Sequence, residues 1–253
     1  MKKISKTLVM LSALLPLCSA VLADDAVPAS ISVAPMNIHL SAVRDRQSVI
    51  VQAVMPNGLT FDVTDKATMT IASEAQVRKE GTTIYPVADG ETKLTVAYGG
   101  HSVEIPVVVL SSQVDPPISF RQDVMPVWMK SSCNNGSCHG AARGKDGFRL
   151  SLFGFDPEGD HYRLTREIPG RRINLALPAE SLLMEKSAGV VPHTGGGRFK
   201  IGSEHYNTVL RWLESGAPND SGAVPSVVSV DLYPKNAVMD GEGETQRLTV
   251  RAK

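Results

Sequence analysis

Between residues 28 and 110 the apolar positions recur in short alternating runs. Ile31–Val33, Val49–Val54, Thr68–Ile71, Lys93–Val96 and Val103–Val109 each read as a strand with one face turned to a core. Pro56-Asn57-Gly58, Asp89-Gly90 and Gly99-Gly100 punctuate them as turns, and no long helical period intervenes. Several short strands at this spacing predict a β-sandwich, with a barrel as the alternative closure. From residue 118 the period changes. Phe120, Val124, Val127 and Trp128 fall at helical spacing. Further on, Ser203 stands where a helix N-cap belongs. Tyr206, Val209, Leu210 and Leu213 follow on one face, and Gly216 with Pro218 stops the run.

The end of the chain repeats its beginning. Setting Pro35 on Pro234 holds the register without a gap as far as Ala53 on Ala252. Asn37 then falls on Asn236, Gln47 on Gln246, Val33 on Leu232, Leu40 on Met239 and Val49 on Leu248. A repeat of this kind predicts a second β-domain starting near Val227. Two strands cannot close a sandwich, so either the sequence is a piece of a longer chain or the tail pairs elsewhere; the first is the preferred expectation.

The amino terminus reads as an export leader. Lys2, Lys3 and Lys6 precede an apolar run from Thr7 to Leu22, and small residues end at Ala23 before Asp24-Asp25. The run is short for a membrane span, and nothing later approaches one, so no transmembrane anchor is expected in this chain. Cys18 follows bulky Leu17 and rigid Pro16, which fits a cleavable leader better than a lipidation site. Cleavage near Ala23 removes three of the 26 basic residues, leaving 23 against 26 acidic ones. A near-neutral chain argues against a nucleic-acid partner. Of the three cysteines only Cys133 and Cys138 remain, in a compartment beyond the inner membrane. A periplasmic or cell-surface location is expected.

Those two cysteines open the chemistry. Cys133-Asn134-Asn135-Gly136-Ser137-Cys138-His139 sets two thiols and a following histidine in the order that covalent haem attachment needs. The thiols would hold the porphyrin and His139 would hold the iron. The usual spacing is C-x-x-C-H; here it is C-x4-C-H, and Asn134-Asn135-Gly136 can turn tightly enough to loop out the extra length. The competing reading is a disulfide between Cys133 and Cys138, which accounts for neither His139 nor the aromatic load around it. Residues 118–220 hold both tryptophans and His139, His161, His193 and His205.

Two resemblances extend these readings. "PNGLTFDVTDKATMTIAS" and "PVADGETKLTVAYGGHSVEIPVVV", within residues 30–110, resemble bacterial Ig-like domains of the invasin and intimin group. "FRQDVMPVWMKSSCNNGSCHG" and "YNTVLRWLESGAP" resemble the opening and closing segments of class I cytochromes c. "CNNGSCHGAARGKDGFRLSLFGFDPEGDHYRLTRE" and "GRRINLALPAESLLMEKSAGVVPHTGGGRF" are similar to the Planctomycete cytochrome c group. This last resemblance covers about residues 118–220. It implies one covalent haem c per chain and redox work, with the Ig-like modules as spacers.

The expected architecture is therefore multidomain α and β. Residues 1–23 are a signal peptide, 24–112 an Ig-like β-sandwich, 113–222 a small mostly α-helical cytochrome c-like domain, and 223–253 an incomplete second Ig-like domain. One-electron transfer through the haem is the expected function. The alternative is a cell-surface structural or adhesion protein with a haem-free, disulfide-closed middle. A redox partner protein goes with the first reading. Cell-surface proteins or polysaccharide are the partners expected of Ig-like modules.

For the second axial ligand the loop Val191–Arg198 offers His193, beside Pro192 and ahead of three glycines. Met184, among leucines on a short helix, is the rival. Arg163, Arg166, Arg171 and Arg172 form a basic cluster that either meets a haem propionate or is a solvated face. His161 and His205 read as surface residues. Gly195-Gly196-Gly197 lacks the strand, Lys and helix start of a phosphate loop. No catalytic triad stands out, and an enzymatic role is not the expectation.

Overall fold

The computed structural model describes residues 27–168 and 170–252. The expected leader, its cleavage point and Cys18 lie outside the described residues. Among these residues no helix is long and apolar enough to cross a membrane. The chain divides into two compact units. One runs up to Gln113 and includes Asp231–Arg251; the other spans Val114–Val230.

Up to Gln113 the described residues of the first unit form ten strands. They are β1 (Ser30–Ala34), β2 (Ile38–Leu40), β3 (Gln47–Ser48), β4 (Ile50–Val54), β5 (Thr60–Asp62), β6 (Thr68–Ile71), β7 (Val77–Glu80), β8 (Thr83–Pro86), β9 (Gly90–Tyr98) and β10 (His101–Val109). They form three sheets with orders β1-β4-β5, β2-β10-β9-β6 and β3-β8-β7. The β9–β10 hairpin has Tyr98 paired with His101, and its two loop residues, Gly99 and Gly100, both have positive φ. That is the backbone a two-residue hairpin requires, and glycine adopts it without a Cβ clash. Alternation along β9 and β10 turns Leu94, Val96, Ile105, Val107 and Val109 inward. They meet Val33, Val49 and Val51 in one core. Burying each such side chain stabilises the fold by about 1.5–3 kcal/mol.

β11 (Val230–Tyr233) and β12 (Thr249–Ala252) pair in a two-stranded sheet of their own. Pro35 on Pro234 is an offset of 199, which carries β4 onto residues 249–253, where β12 stands. The tail is bonded to the strands that precede Gln113. Thr60 donates its backbone N–H to the Val238 carbonyl at 2.8 Å, and Gln52 Nε2 donates to the Asn236 carbonyl at 3.0 Å. Arg247 donates its backbone N–H to Asp62 at 2.8 Å and pairs through its guanidinium with Asp65. Val33, Leu40, Val49 and Val51 are buried, but Leu232, Met239, Leu248 and Val250 at the corresponding positions are exposed.

The second unit corrects the expected fold class. It holds α1 (Met125–Lys130), α2 (Pro157–Thr165), α3 (Leu182–Ala188) and α4 (Glu204–Glu214), of 6, 9, 7 and 11 residues. A π-helical turn, Phe120–Val124, leads into α1. The long connections between these helices are irregular, so this is not a small mostly α-helical domain, and the chain as a whole is dominated by four β-sheets. The reason is local. Gly144, Gly147 and Gly154 between α1 and α2, and Gly189, Gly196 and Gly202 between α3 and α4, all have positive φ, which a helix cannot accept.

The helices end as their sequences direct. Asp156 caps α2 by accepting from the Gly159 N–H at 3.0 Å, and Ser203 caps α4 by accepting from Tyr206. Phe120, Trp128, Leu164, Met184, Val209, Trp212 and Leu213 fill the core between them.

Candidate cofactor pocket

A cavity of about 350 Å³ opens in the second unit, lined by Cys133, Cys138, His139 and His193 together with apolar groups such as Phe148 and Leu183. Its size and mixed lining are those of a site for a mostly apolar ligand with a few polar anchors. The segment that carries the cysteines is set by the end of α1. Cys133 donates its backbone N–H to the Trp128 carbonyl at 2.9 Å, so the chain leaves α1 directly into the motif. The four residues between the cysteines then fold back on themselves. His139 N–H donates to the Cys133 carbonyl at 3.0 Å, while Cys138 and Gly140 both donate to the Asn135 carbonyl, at 3.1 and 3.0 Å. This compact turn absorbs the additional spacer length and returns Cys138 and His139 to the cavity wall. Gly140 is required by it, because a Cβ there would lie 2.1 Å from the Asn134 carbonyl oxygen.

Both cysteines are free thiols. Cys133 is buried, and burial pushes its pKa up to about 11, with Arg198 pulling the other way and Cys138 adding to the rise. It is a neutral thiol at neutral pH. Cys138 is partly exposed and accepts a weak contact from Arg198 at 3.6 Å.

The two histidines are held in matching fashion. His139 Nδ1 is 2.9 Å from the Phe148 carbonyl and His193 Nδ1 is 2.8 Å from the Gly196 carbonyl. A carbonyl only accepts, so each Nδ1 is the protonated nitrogen and each Nε2 keeps its lone pair. Burial, followed by the neighbouring His193, pulls the His139 pKa below the ordinary imidazole value against the opposing effects of Phe148 and Asp146, favouring the neutral, ligating form. The two rings are parallel to within 6°, with centroids 6.2 Å apart. Gly195 leaves room for this arrangement, since a Cβ on it would meet His193 Cε1 at 3.0 Å.

These residues fit a haem. Both imidazoles present a nitrogen donor at the cavity, with 6.2 Å between ring centres. Two thiols border the same cavity on the chain segment that supplies His139. Met184, the rival for the second axial position, is fully buried in the core and does not line the cavity.

The descriptions "cytochrome c" and "metal-binding" need correction. The motif is C-x4-C-H and not C-x-x-C-H. Among the described residues no group of three or more His, Cys, Asp or Glu gathers to hold a bare metal ion. Two histidines are too few donors for an ion by themselves.

Other expectations resolve residue by residue. Arg163 pairs with Asp160 and Asp156, and buried Arg172 pairs with Glu167 and stacks on Phe148, so both serve the protein's own framework. Arg171 and Arg172 both line the cavity. His161 is half-buried, bonded through Nε2 to the Ala217 carbonyl and set edge-on to Phe120, because it lies on the inner side of α2 and not on the surface. His205 is likewise half-buried against Ser131 and Phe199. Sequence reading missed Phe148, Arg198 and Trp128 as cavity residues. No spacing signal marks them, since they come from separate loops and from α1.

No protein-family model matches the chain, and no curated protein is similar to it. The Planctomycete resemblance therefore rests on the quoted motifs. Among solved structures, domains 4 and 5 of the S-layer protein SbsC are 23% identical over 34% of this chain and 53% of that one, with a TM-score of 0.24. Domains 1–6 of the surface layer protein SbsC are 21% identical over 36% of this chain and 14% of that one, with a TM-score of 0.25. The chain thus spans about half of the first and a small part of the second. At these TM-scores the likeness decides neither fold nor function.

Proposed function

We propose that the chain is a modular, exported cell-surface protein whose β-sandwich units are structural and whose second unit holds a covalently attached haem. The repeated strand pair and the export leader support the modular surface reading. The observation that carries the haem reading is the pairing of His139 and His193, parallel at 6.2 Å with both Nε2 lone pairs free, on a cavity that also presents two free thiols. Cys133 and Cys138 would hold the porphyrin through thioether bonds, and His139 and His193 would hold the iron. When bound, the group supplies a one-electron couple. The chain's own residues do the rest. The Phe148 and Gly196 carbonyls fix the imidazole tautomers, and Phe148, Leu150 and Leu183 keep water from the site.

The test is a pyridine haemochrome spectrum and intact mass of the protein produced with a haem-attachment system. One covalent haem per chain is expected. A haem-free wild type with a Cys133–Cys138 disulfide, two hydrogens lighter than the dithiol, would instead establish the purely structural reading.

A further inference from the structure

The tail repeats the opening strands in structure as well as in sequence. Gln47 falls on Gln246, and each donates Nε2 to the next residue's carbonyl, Ser48 at 2.9 Å and Arg247 at 3.0 Å. The Asp45 carboxylate accepts from the Ser41 backbone N–H at 2.6 Å. Glu244, at the matching position, accepts from the Asp240 N–H at 3.1 Å. Asp45 and Glu244 also donate their own N–H groups to the matching carbonyls of Ala42 and Gly241. The two segments therefore present the same local shape to whatever lies against them.

They lie against each other, and the contact is reciprocal. Gln52 Nε2 donates to the Asn236 carbonyl at 3.0 Å and to Gln246 Oε1 at 3.1 Å. Arg251, the counterpart of Gln52, donates to Oδ1 of Asn37, the counterpart of Asn236, at 2.9 Å. Ser48, Val49 and Ile50 border one groove with their own counterparts Arg247, Leu248 and Thr249. When one residue meets the counterpart of a second, and the second meets the counterpart of the first, the contact has two-fold symmetry. The covered face is real. Strand alternation turns Val49, Val51 and Ala53 to the core and Ile50 and Gln52 outward, yet both outward residues are only 6% exposed.

We propose that this outer face of β4 and β5 is a self-recognition surface whose partner is a second copy of this chain. The tail covers the face within one chain. Once the tail is displaced, the faces of two copies pair about the same two-fold. The groups that Gln52 bonds on the tail recur in its own repeat as Asn37 and Gln47, so a second copy offers them too. The tethered tail wins at ordinary concentrations, because a short-range intramolecular partner is present at an effective concentration on the order of millimolar. Arg247 adds to that preference. It pairs with Asp65 and donates its N–H to Asp62, where a second copy would set Ser48. The inference is independent of the haem reading.

The experiment is sedimentation velocity on full chains over a concentration series, with hydrogen exchange at the Thr60 N–H, which donates to the Val238 carbonyl, reporting the tail. Wild type should stay monomeric with Thr60 protected. Arg247→Glu with Arg251→Glu sets acids toward Asp62, Asp65 and Asn37. Thr60 should then exchange fast in dilute solution, and the apparent mass should double as concentration rises. Adding Gln52→Glu removes the donor and should return the protein to monomer. A released tail with constant mass overturns the proposal, as does a dimer indifferent to Gln52→Glu, which would mark association through the freed tail instead. A tail that stays docked despite both reversed charges also overturns it, since the stated preference for the tail would be absent. If the glutamate variant does not fold, Arg247→Ala with Arg251→Ala decides on the same readings.

Discussion

His139 and His193 come from loops 54 positions apart, yet their rings lie 6.2 Å apart and 6° from parallel, each tied through Nδ1 to a backbone carbonyl. The separation is too great for face-to-face contact between the rings, and each hydrogen bond keeps one Nε2 lone pair available.

Replacing His193 by alanine is the direct probe of that arrangement. In haem-loaded protein the variant should lose the low-spin spectrum of wild type and become high-spin, while covalent attachment through Cys133 and Cys138 persists. If Met184→Ala has this effect and His193→Ala does not, the ligand assignment fails.

The two cysteines should differ in reactivity before haem is attached. With a pKa of about 11, Cys133 is thiolate only to about one part in a thousand at pH 8, and its burial obstructs reagents further. Pulsed alkylation read by mass spectrometry should modify Cys138 well ahead of Cys133. Equal rates would mean that the turn around Cys133 is open.

Gly140→Ala should damage the motif turn. The new Cβ meets backbone, the Asn134 carbonyl oxygen, at 2.1 Å, so no side chain can swing aside. A loss of about 1–3 kcal/mol in stability is expected, together with a lower haem yield. A denaturant midpoint equal to wild type would show that the turn adopts another form.

Acid should loosen the tail from the strands that precede Gln113. Burial opposes ionisation of Asp62, but hydrogen bonds from Thr64 and the Arg247 backbone outweigh it and hold its pKa below the ordinary value of 3.8. Asp65 is lowered in the same direction chiefly by its hydrogen bond with Arg247. For a carboxyl group depressed in the folded state, the stabilisation is complete above the unfolded pKa and is lost as pH falls through the folded one. Hydrogen exchange at the Val238 N–H, which donates to Thr60 Oγ1, should therefore accelerate below about pH 4, beyond the intrinsic pH effect. Arg247→Ala should give the faster exchange already at neutral pH.

Strands with several inward residues were legible from the amino acids alone. Thr68–Ile71 was read at its observed bounds, and the predicted Lys93–Val96 and Val103–Val109 lie inside β9 and β10. β7 and β8 escaped notice for a physical reason. Each buries one residue, Val77 or Ile84, and the rest of β7 is Arg78-Lys79-Glu80, so no alternation shows. The end helices were legible because their apolar stripes and Ser203 cap are local signals. Folding overturned the expectation of a mostly helical middle, since glycines at positive φ divert the chain into long loops.

The candidate site divides the same way. Cys133, Cys138 and His139 stand together in the chain, and their order already stated a chemistry. The choice of His193 over Met184 as a cavity residue is visible only in three dimensions, where Met184 is drawn into the core and the loop after α3 brings His193 opposite His139. Trp128 had no motif to mark it. Local pattern encodes what a segment tends to form and which reactive groups are adjacent. Packing selects which distant groups meet, because burial, loop closure and hydrogen-bond pairing are settled jointly by the whole unit.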